Sequence, residues 1–348
     1  MAGRLGVAQI YVKDESQRFG LNAFKALGGS YCIGKYIAGR LGMNIEEVSY
    51  EMLSGEKTRA RLGTMTFVTA TDGNHGRGIA WTANILGHKS VVYMPKGSAR
   101  ERLDNIQALG ANASITEFNY DDAVRFASDE AERNGWIFVQ DTAWPGYESI
   151  PGWIMEGYTT MGHEIATQLG GEIPTHILLQ AGVGAMAGAM TGFFADYYKN
   201  ELRPRIVIAE PDKADCIYRT AAAGDGKIHA VSGALDTMMA GLACGEPCTL
   251  AWDILKAYGD HFISVPDTIA ANGMRILGNP LPGDPRIISG ESGAVTAGLI
   301  AEIMQNEALK DLRKALALDK DSHILCISTE GDTDKENYRR IVWGGHYS

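Results

Sequence analysis

Nine short runs rich in β-branched and aromatic residues, each followed by a longer stretch of helical periodicity, constrain the fold of this chain more than any other feature. They are "QIYVK", "TMTFVTAT", "SVVYMP", "ASITEF", "WIFVQD", "HILLQA", "RIVIAE", "HFISV" and "HILCIST". Strands kept apart by helix-length segments cannot close as tight hairpins, so the pattern predicts parallel strands joined by crossover helices, an α/β class. Two of the intervening helices, "HGRGIAWTANILG" and "YDDAVRFASDEAERNG", end at a glycine suited to a left-handed cap. A chain of 348 residues is about twice a typical domain. Pro145, Gly146, Pro151 and Gly152 cluster in "DTAWPGYESIPGW", and a second boundary falls near residue 60. These boundaries set a small domain of residues 62–146 inside a large one made of 1–61 and 147–348.

The net charge of −10, with no basic patch, argues against a nucleic-acid or anionic-membrane surface and leaves small molecules as the expected partners. No apolar run reaches bilayer length, and the opening "MAGRLGVAQIYVKDES" lacks the hydrophobic core of a secretion signal, so a cytoplasmic location is expected. The five cysteines are odd in number and scattered, unlike a secreted disulfide framework, and are expected to be mostly reduced. Cys244 and Cys248 lack the second pair or histidine cluster that would complete a zinc site, and no metal is expected; a Cys216–Cys244 bridge stays open.

Three segments carry chemistry. In "KDESQRFGLNAFKALGGSY", Lys25 stands in a glycine-flanked turn where a helix begins. The positive end of the helix dipole there disfavours an ammonium and helps supply a neutral amine able to form a Schiff base. An ordinary lysine in a turn is the competing reading. In "TATDGNHGRGIAW", a strand runs through glycines into a helix, which makes Gly73, Asn74 and His75 a ligand-facing loop with Asp72 as an acid within it. An Asx turn explains the same residues. In "LLQAGVGAMAGAM", a buried strand ends in Gly182, Val183 and Gly184 ahead of a small-residue helix opening with Ala185 and Met186, so backbone amides could cradle a phosphate. A dinucleotide fingerprint fits less well, because Gly188 comes one position late.

A Schiff-base lysine, an asparagine loop and a phosphate cup together point to pyridoxal phosphate. With "YMPKGSARER", "QDTAW", "EPDKADCIYR", "MAGLACGEP", "DPRIISGESGAV" and "STEGDTD" added to these segments, the chain resembles the fold-type II pyridoxal-phosphate enzymes and, within them, the diaminopropionate ammonia-lyases, over essentially its whole length. The resemblance implies two open, twisted, mostly parallel sheets with helices on both faces. It implies that Lys25 carries the cofactor, Asn74 contacts its ring hydroxyl, residues Gly182 to Met186 hold its phosphate, and the Thr329 hydroxyl faces the pyridine nitrogen. The implied reaction is α,β-elimination of D- and L-2,3-diaminopropionate to pyruvate and two ammonia molecules through an aminoacrylate. A serine or threonine dehydratase or racemase of the same fold type is the alternative.

Related dehydratases and racemases carry a serine ahead of the Gly-Asn pair, where this chain has Asp72, a far stronger base at neutral pH. Lys25 and Asp72 are therefore expected to act on opposite faces of the cofactor, one for each enantiomer. Asp141, in "QDTAW", matches the family's second active-site aspartate, expected to hold the substrate's distal ammonium or share the proton work, and Gly73 and His75 are further substrate-side candidates. Trp144 and Tyr147 read as part of a lid, and Glu291 with Ser292 either as lining of the site or, equally well, as a helix-entry turn. A homodimer is the family expectation. Family members usually carry a further N-terminal segment ahead of "QIYVKDES", which bears on dimer contacts and stability more than on chemistry.

Overall fold

The computed structural model describes residues 1–71 and 73–348. The chain divides into two compact units, one of residues 1–23, 161–247 and 251–348, the other of 24–160 with 248–250. The sheet of the second unit lies inside the 62–146 expected from sequence, but the unit also takes in residues 24–61 and 147–160. The physical reason is packing. A Cβ on Gly78 would stand 3.0 Å from Ala26 N, and one on Gly28 2.8 Å from Ile154 O, so helices Ala26–Leu41, Asn74–Ile85 and Ser149–Leu169 meet backbone to backbone.

Each expected run forms a strand: β1 (Gln9–Asp14), β2 (Thr66–Ala70), β3 (Lys89–Met94), β4 (Asn112–Ile115), β5 (Ile137–Phe138), β6 (His176–Gln180), β7 (Arg205–Pro211), β8 (His261–Val265) and β9 (His323–Ser328). The first unit holds a five-stranded sheet in the order β1-β9-β6-β7-β8, and the second a four-stranded sheet in the order β4-β3-β2-β5. All pairings are parallel.

In the four-stranded sheet, adjacent residues alternate between faces, as the pleat requires. Val68, Ala70 and Val91 pack with Ala123, Val124, Ala127 and Ala131 of the helix Tyr120–Asn134. Val92 and Met94 pack with Ala80, Leu103 and Ile106 of two other helices. The five-stranded sheet carries near-continuous apolar runs such as Ile206, Val207 and Ile208, all buried, as parallel strands covered on both sides demand. Helices Asp267–Gly278 and Glu291–Gln305 cover part of it, with Met274, Val295 and Ile300 in the same cluster as Leu178, Val207 and Ile324. The helix Tyr120–Asn134 ends at Gly135 with φ +66°, the left-handed cap its sequence predicted. No described helix is long and apolar enough to cross a membrane.

Candidate active site

In the second unit, Lys25 occupies the N-cap position of the helix Ala26–Leu41. A run of glycines makes that position: Gly28, Gly78 and Gly157 each sit where a Cβ would meet another helix's backbone at 3.0 Å or less. The Lys25 ammonium donates to Asp141 Oδ2 at 2.6 Å across 116 residues of sequence. Asp141 follows β5 and is 2% exposed. Burial by itself would raise the Asp141 carboxyl, yet the Lys25 charge, His75 and the Lys25 hydrogen bond bring it down from 3.8 to about 2. This arrangement holds the aspartate as an anion at neutral pH.

The other Asp141 oxygen is also engaged. Gln140, fully buried, accepts from Thr69 Oγ1 at 2.7 Å and Ala70 N at 3.0 Å through Oε1, so its amide nitrogen faces the opposite way. That nitrogen donates to Tyr120 Oη at 2.9 Å and approaches Asp141 Oδ1 at 3.4 Å. Gln140 was not among the expected site residues, and "WIFVQD" offered no signal beyond a polar residue at a strand's end.

The loop after β2 enters the helix Asn74–Ile85 through Gly73, whose φ of +154° suits glycine alone. Thr71 Oγ1 accepts from Gly73 N at 2.9 Å, and a Cβ on Gly76 would lie 2.4 Å from the Thr71 side chain. Asn74 and His75 form the first turn and are both buried. His75 Nε2 bonds the Val139 carbonyl at 2.9 Å, so that nitrogen carries hydrogen, and Nδ1 lies 3.9 Å from Asp141 Oδ2. The structure therefore places His75 beside Asp141. Asp72 lies outside the described residues. Trp144 and Tyr147 stack at 4.7 Å, and the Tyr147 hydroxyl donates to the Phe138 carbonyl and accepts from Gln140 N, which ties them to the end of β5.

In the first unit, β6 leads through Gly182 and Val183 to Gly184, which has φ +93° and caps the helix Ala185–Tyr197. The first amides of a helix have no intrahelical acceptor, so this turn presents backbone donors with the positive helix end behind them. Gly182 lets the loop pass close to its neighbours, since a Cβ there would meet Leu242 Cα at 3.0 Å and Cys244 Sγ at 3.1 Å. All five cysteines are buried, and no disulfide joins Cys216 to Cys244. Thr329, at the carboxyl end of β9, is 4% exposed and accepts from Gln180 Nε2 at 2.9 Å. Glu291 opens the helix Glu291–Gln305, accepts from Asn337 Nδ2 at 2.6 Å, and so has a structural duty.

Taken unit by unit, these residues suit the separate parts of a phosphate-bearing aldehyde cofactor. A glycine cradle backed by helix amides fits an anion, the Thr329 hydroxyl has a hydrogen with no acceptor among the described residues, and Lys25 is a primary amine with a carboxylate partner.

Comparison with known proteins agrees with this fit. The family model described as "Pyridoxal-phosphate dependent enzyme" matches residues 1–330. Diaminopropionate ammonia-lyase of Escherichia coli strain K12 is 52% identical over 353 residues, covering 100% of this chain and 86% of the relative. That of Salmonella typhimurium is 50% identical, covering 99% and 86%. The crystal structure of the selenomethionine-incorporated holo enzyme from Escherichia coli superposes with a TM-score of 0.92 at 52% identity, over 100% of this chain and 86% of that one. The chain belongs to the pyridoxal-phosphate dependent enzymes and, within them, to the diaminopropionate ammonia-lyase family.

Proposed function

We propose that this protein is a pyridoxal-phosphate dependent ammonia-lyase that converts D- and L-2,3-diaminopropionate to pyruvate and two molecules of ammonia. The observation that carries this reading is the Lys25–Asp141 pair, 2.6 Å apart with the aspartate buried. A lysine that must bond an aldehyde has to be held in one place until it does, and a buried carboxylate beside it does that and leaves an anion in the site once the amine is engaged. When bound, pyridoxal phosphate supplies an electron-withdrawing ring that acidifies the substrate's α-C–H and accommodates the charge left behind.

The rest is the work of this chain's residues. Lys25 would hold the cofactor, and its free Nζ would take the α-proton of one enantiomer. Asp72 takes that of the other. Asn74 would contact the ring hydroxyl, and the amides from Gly182 to Met186, including those of Val183, Gly184 and Ala185, would hold the phosphate. Thr329 would face the ring nitrogen. Asp141 is the anion that holds the distal β-ammonium, because an amine leaves readily only while protonated. Gly73 leaves room beside the substrate, and His75 acts on it through Asp141. The small domain of residues 62–146, which carries Asp141, forms the sheet-bearing part of the compact unit of residues 24–160. The enzyme works as a homodimer in the cytoplasm, without nucleic-acid or membrane partners.

The test is pyruvate release by protein saturated with pyridoxal phosphate, supplied with D- and L-2,3-diaminopropionate and, as controls, D- and L-serine and threonine. Turnover of the diamine with little of the hydroxy amino acids supports the reading. Turnover of serine or threonine alone would make the protein a dehydratase and sink it. Asp72→Asn should remove D-isomer turnover and spare the L-isomer; equal retention of both contradicts the two-face assignment.

A further inference from the structure

Resting on the assignment of Thr329 to the ring nitrogen, we infer that Gln180 is a positioning residue that forces the Thr329 hydroxyl to act as a hydrogen-bond donor, so that the ring nitrogen it meets is held unprotonated.

The argument is one of counting hydrogens. Gln180 is the last residue of β6 and is 2% exposed, a lone amide at the end of an otherwise apolar buried strand apart from its first residue, His176. Its Nε2 lies 2.9 Å from the Ile327 carbonyl and 2.9 Å from Thr329 Oγ1. A carbonyl can only accept, so the atom facing Ile327 must be the amide nitrogen and not the oxygen. The nitrogen's two hydrogens are then both assigned, one to Ile327 and one to Thr329. Thr329 Oγ1 is thereby an acceptor towards Gln180, and its own hydrogen points elsewhere. No acceptor for it exists among the described residues.

The ionisable groups around the pair do not compete for that role. Glu330 Oε1 accepts from Ser292 N, and Asp332 Oδ1 accepts from Asn22 Nδ2. Cys326, on β9, is a thiol that burial pushes up to about 12, so it stays neutral. Glu210, on β7, accepts from Ile217 N and Tyr218 N. His176, at the far end of β6, bonds the Leu316 carbonyl, and burial lowers it away from the charged form. A donor hydroxyl facing a ring nitrogen stabilises the free base, because a protonated nitrogen would present hydrogen to hydrogen. The strands enforce this: β6 and β9 are parallel neighbours, so the amide at the carboxyl end of one reaches across to the hydroxyl at the carboxyl end of the other.

The experiment reads the ring nitrogen directly. Protein is loaded with pyridoxal phosphate labelled with nitrogen-15 in the ring, and the resonance is followed by nuclear magnetic resonance as pH is changed. The native enzyme should show an unprotonated nitrogen across neutral pH; a protonated one overturns the inference whether or not any variant folds. Gln180→Met frees the hydroxyl to rotate and accept, so the nitrogen's pKa should rise by roughly one pH unit. Thr329→Val should shift the resonance too, and Gln180→Met added to Thr329→Val should change it no further. A Gln180→Met effect that persists in the Thr329→Val background shows a general structural role and refutes the positioning role, as does a native-like resonance in Gln180→Met. If Thr329→Val leaves the resonance unmoved, the assignment of Thr329 to the ring nitrogen fails instead.

Discussion

Pairing between Lys25 and Asp141 can be separated from mere proximity by a double-mutant cycle with Lys25→Met and Asp141→Asn. The carboxyl is lowered from 3.8 to about 2, with burial opposing and the lysine charge prevailing. The lowering of the carboxyl to about 2 corresponds to about 2 kcal/mol in favour of the ionised form, net of the opposing burial. Lys25 supplies the largest lowering cause, with His75 adding to it, so the coupling in the cycle is expected at about 2 kcal/mol. Because the folded-state pKa is depressed, this stability is fully present above the unfolded value of 3.8 and is lost as pH falls through about 2. The assay is urea unfolding of the cofactor-free protein and its variants at pH 7 and pH 5, where the coupling should be equal. Lys25→Met alone should cost more than Asp141→Asn alone, since it leaves a carboxylate only 2% exposed without the lysine charge, whereas the Lys25 side chain is 17% exposed. A coupling under about 0.5 kcal/mol, the size of an exposed surface pair, would refute the claim that the lysine charge is what holds Asp141 ionised.

Three further outcomes follow from the geometry. Gly78→Ala would push a methyl to 3.0 Å from Ala26 N and Cα, so it should destabilise the protein by about 1–3 kcal/mol in urea unfolding and weaken cofactor binding, through the backbone that positions Lys25. Gly182→Ala should weaken pyridoxal phosphate binding by about tenfold in equilibrium dialysis, a loss of about 1.4 kcal/mol, whereas Gly192→Ala in the helix that follows, with its nearest neighbour a side-chain atom at 3.5 Å, should not. Glu210 is raised from 4.5 to about 8, chiefly by burial. A raised carboxyl contributes stability that is fully present below 4.5 and is lost as pH climbs to about 8, so stability should fall from mildly acidic pH to about pH 8 in the native protein and fall less in Glu210→Gln.

Much of this protein was legible from its amino acids because the signals are local. Strand and helix periods repeat over a few residues, so all nine strands and the parallel class could be read from "QIYVK" to "HILCIST". The glycines at 73 and 184 announced backbone conformations that only glycine adopts easily, and the structure places both at helix entries. Lys25 was visible for the same reason, as a cation out of place in a glycine-lined turn.

What remained hidden depends on which distant segments packing brings together. Nothing in "WIFVQD" tells that Asp141 would meet Lys25, 116 residues away, or that Gln140 would be turned by Ala70 N towards Tyr120. His75 read either as a substrate-side group or as a packed helix-starting histidine, and nothing in "TDGNHG" told that its Nε2 would bond the Val139 carbonyl with Nδ1 3.9 Å from Asp141. Nor could "HILLQA" show that its one amide reaches Thr329, 149 residues on. A sequence determines the period, the turns and the kinds of chemistry a chain can carry, since these follow from bonded neighbours. Which atom donates and which accepts at the site was decided only by the tertiary structure, because burial forces every polar group to find a partner among whatever the fold has placed within 3 Å or so.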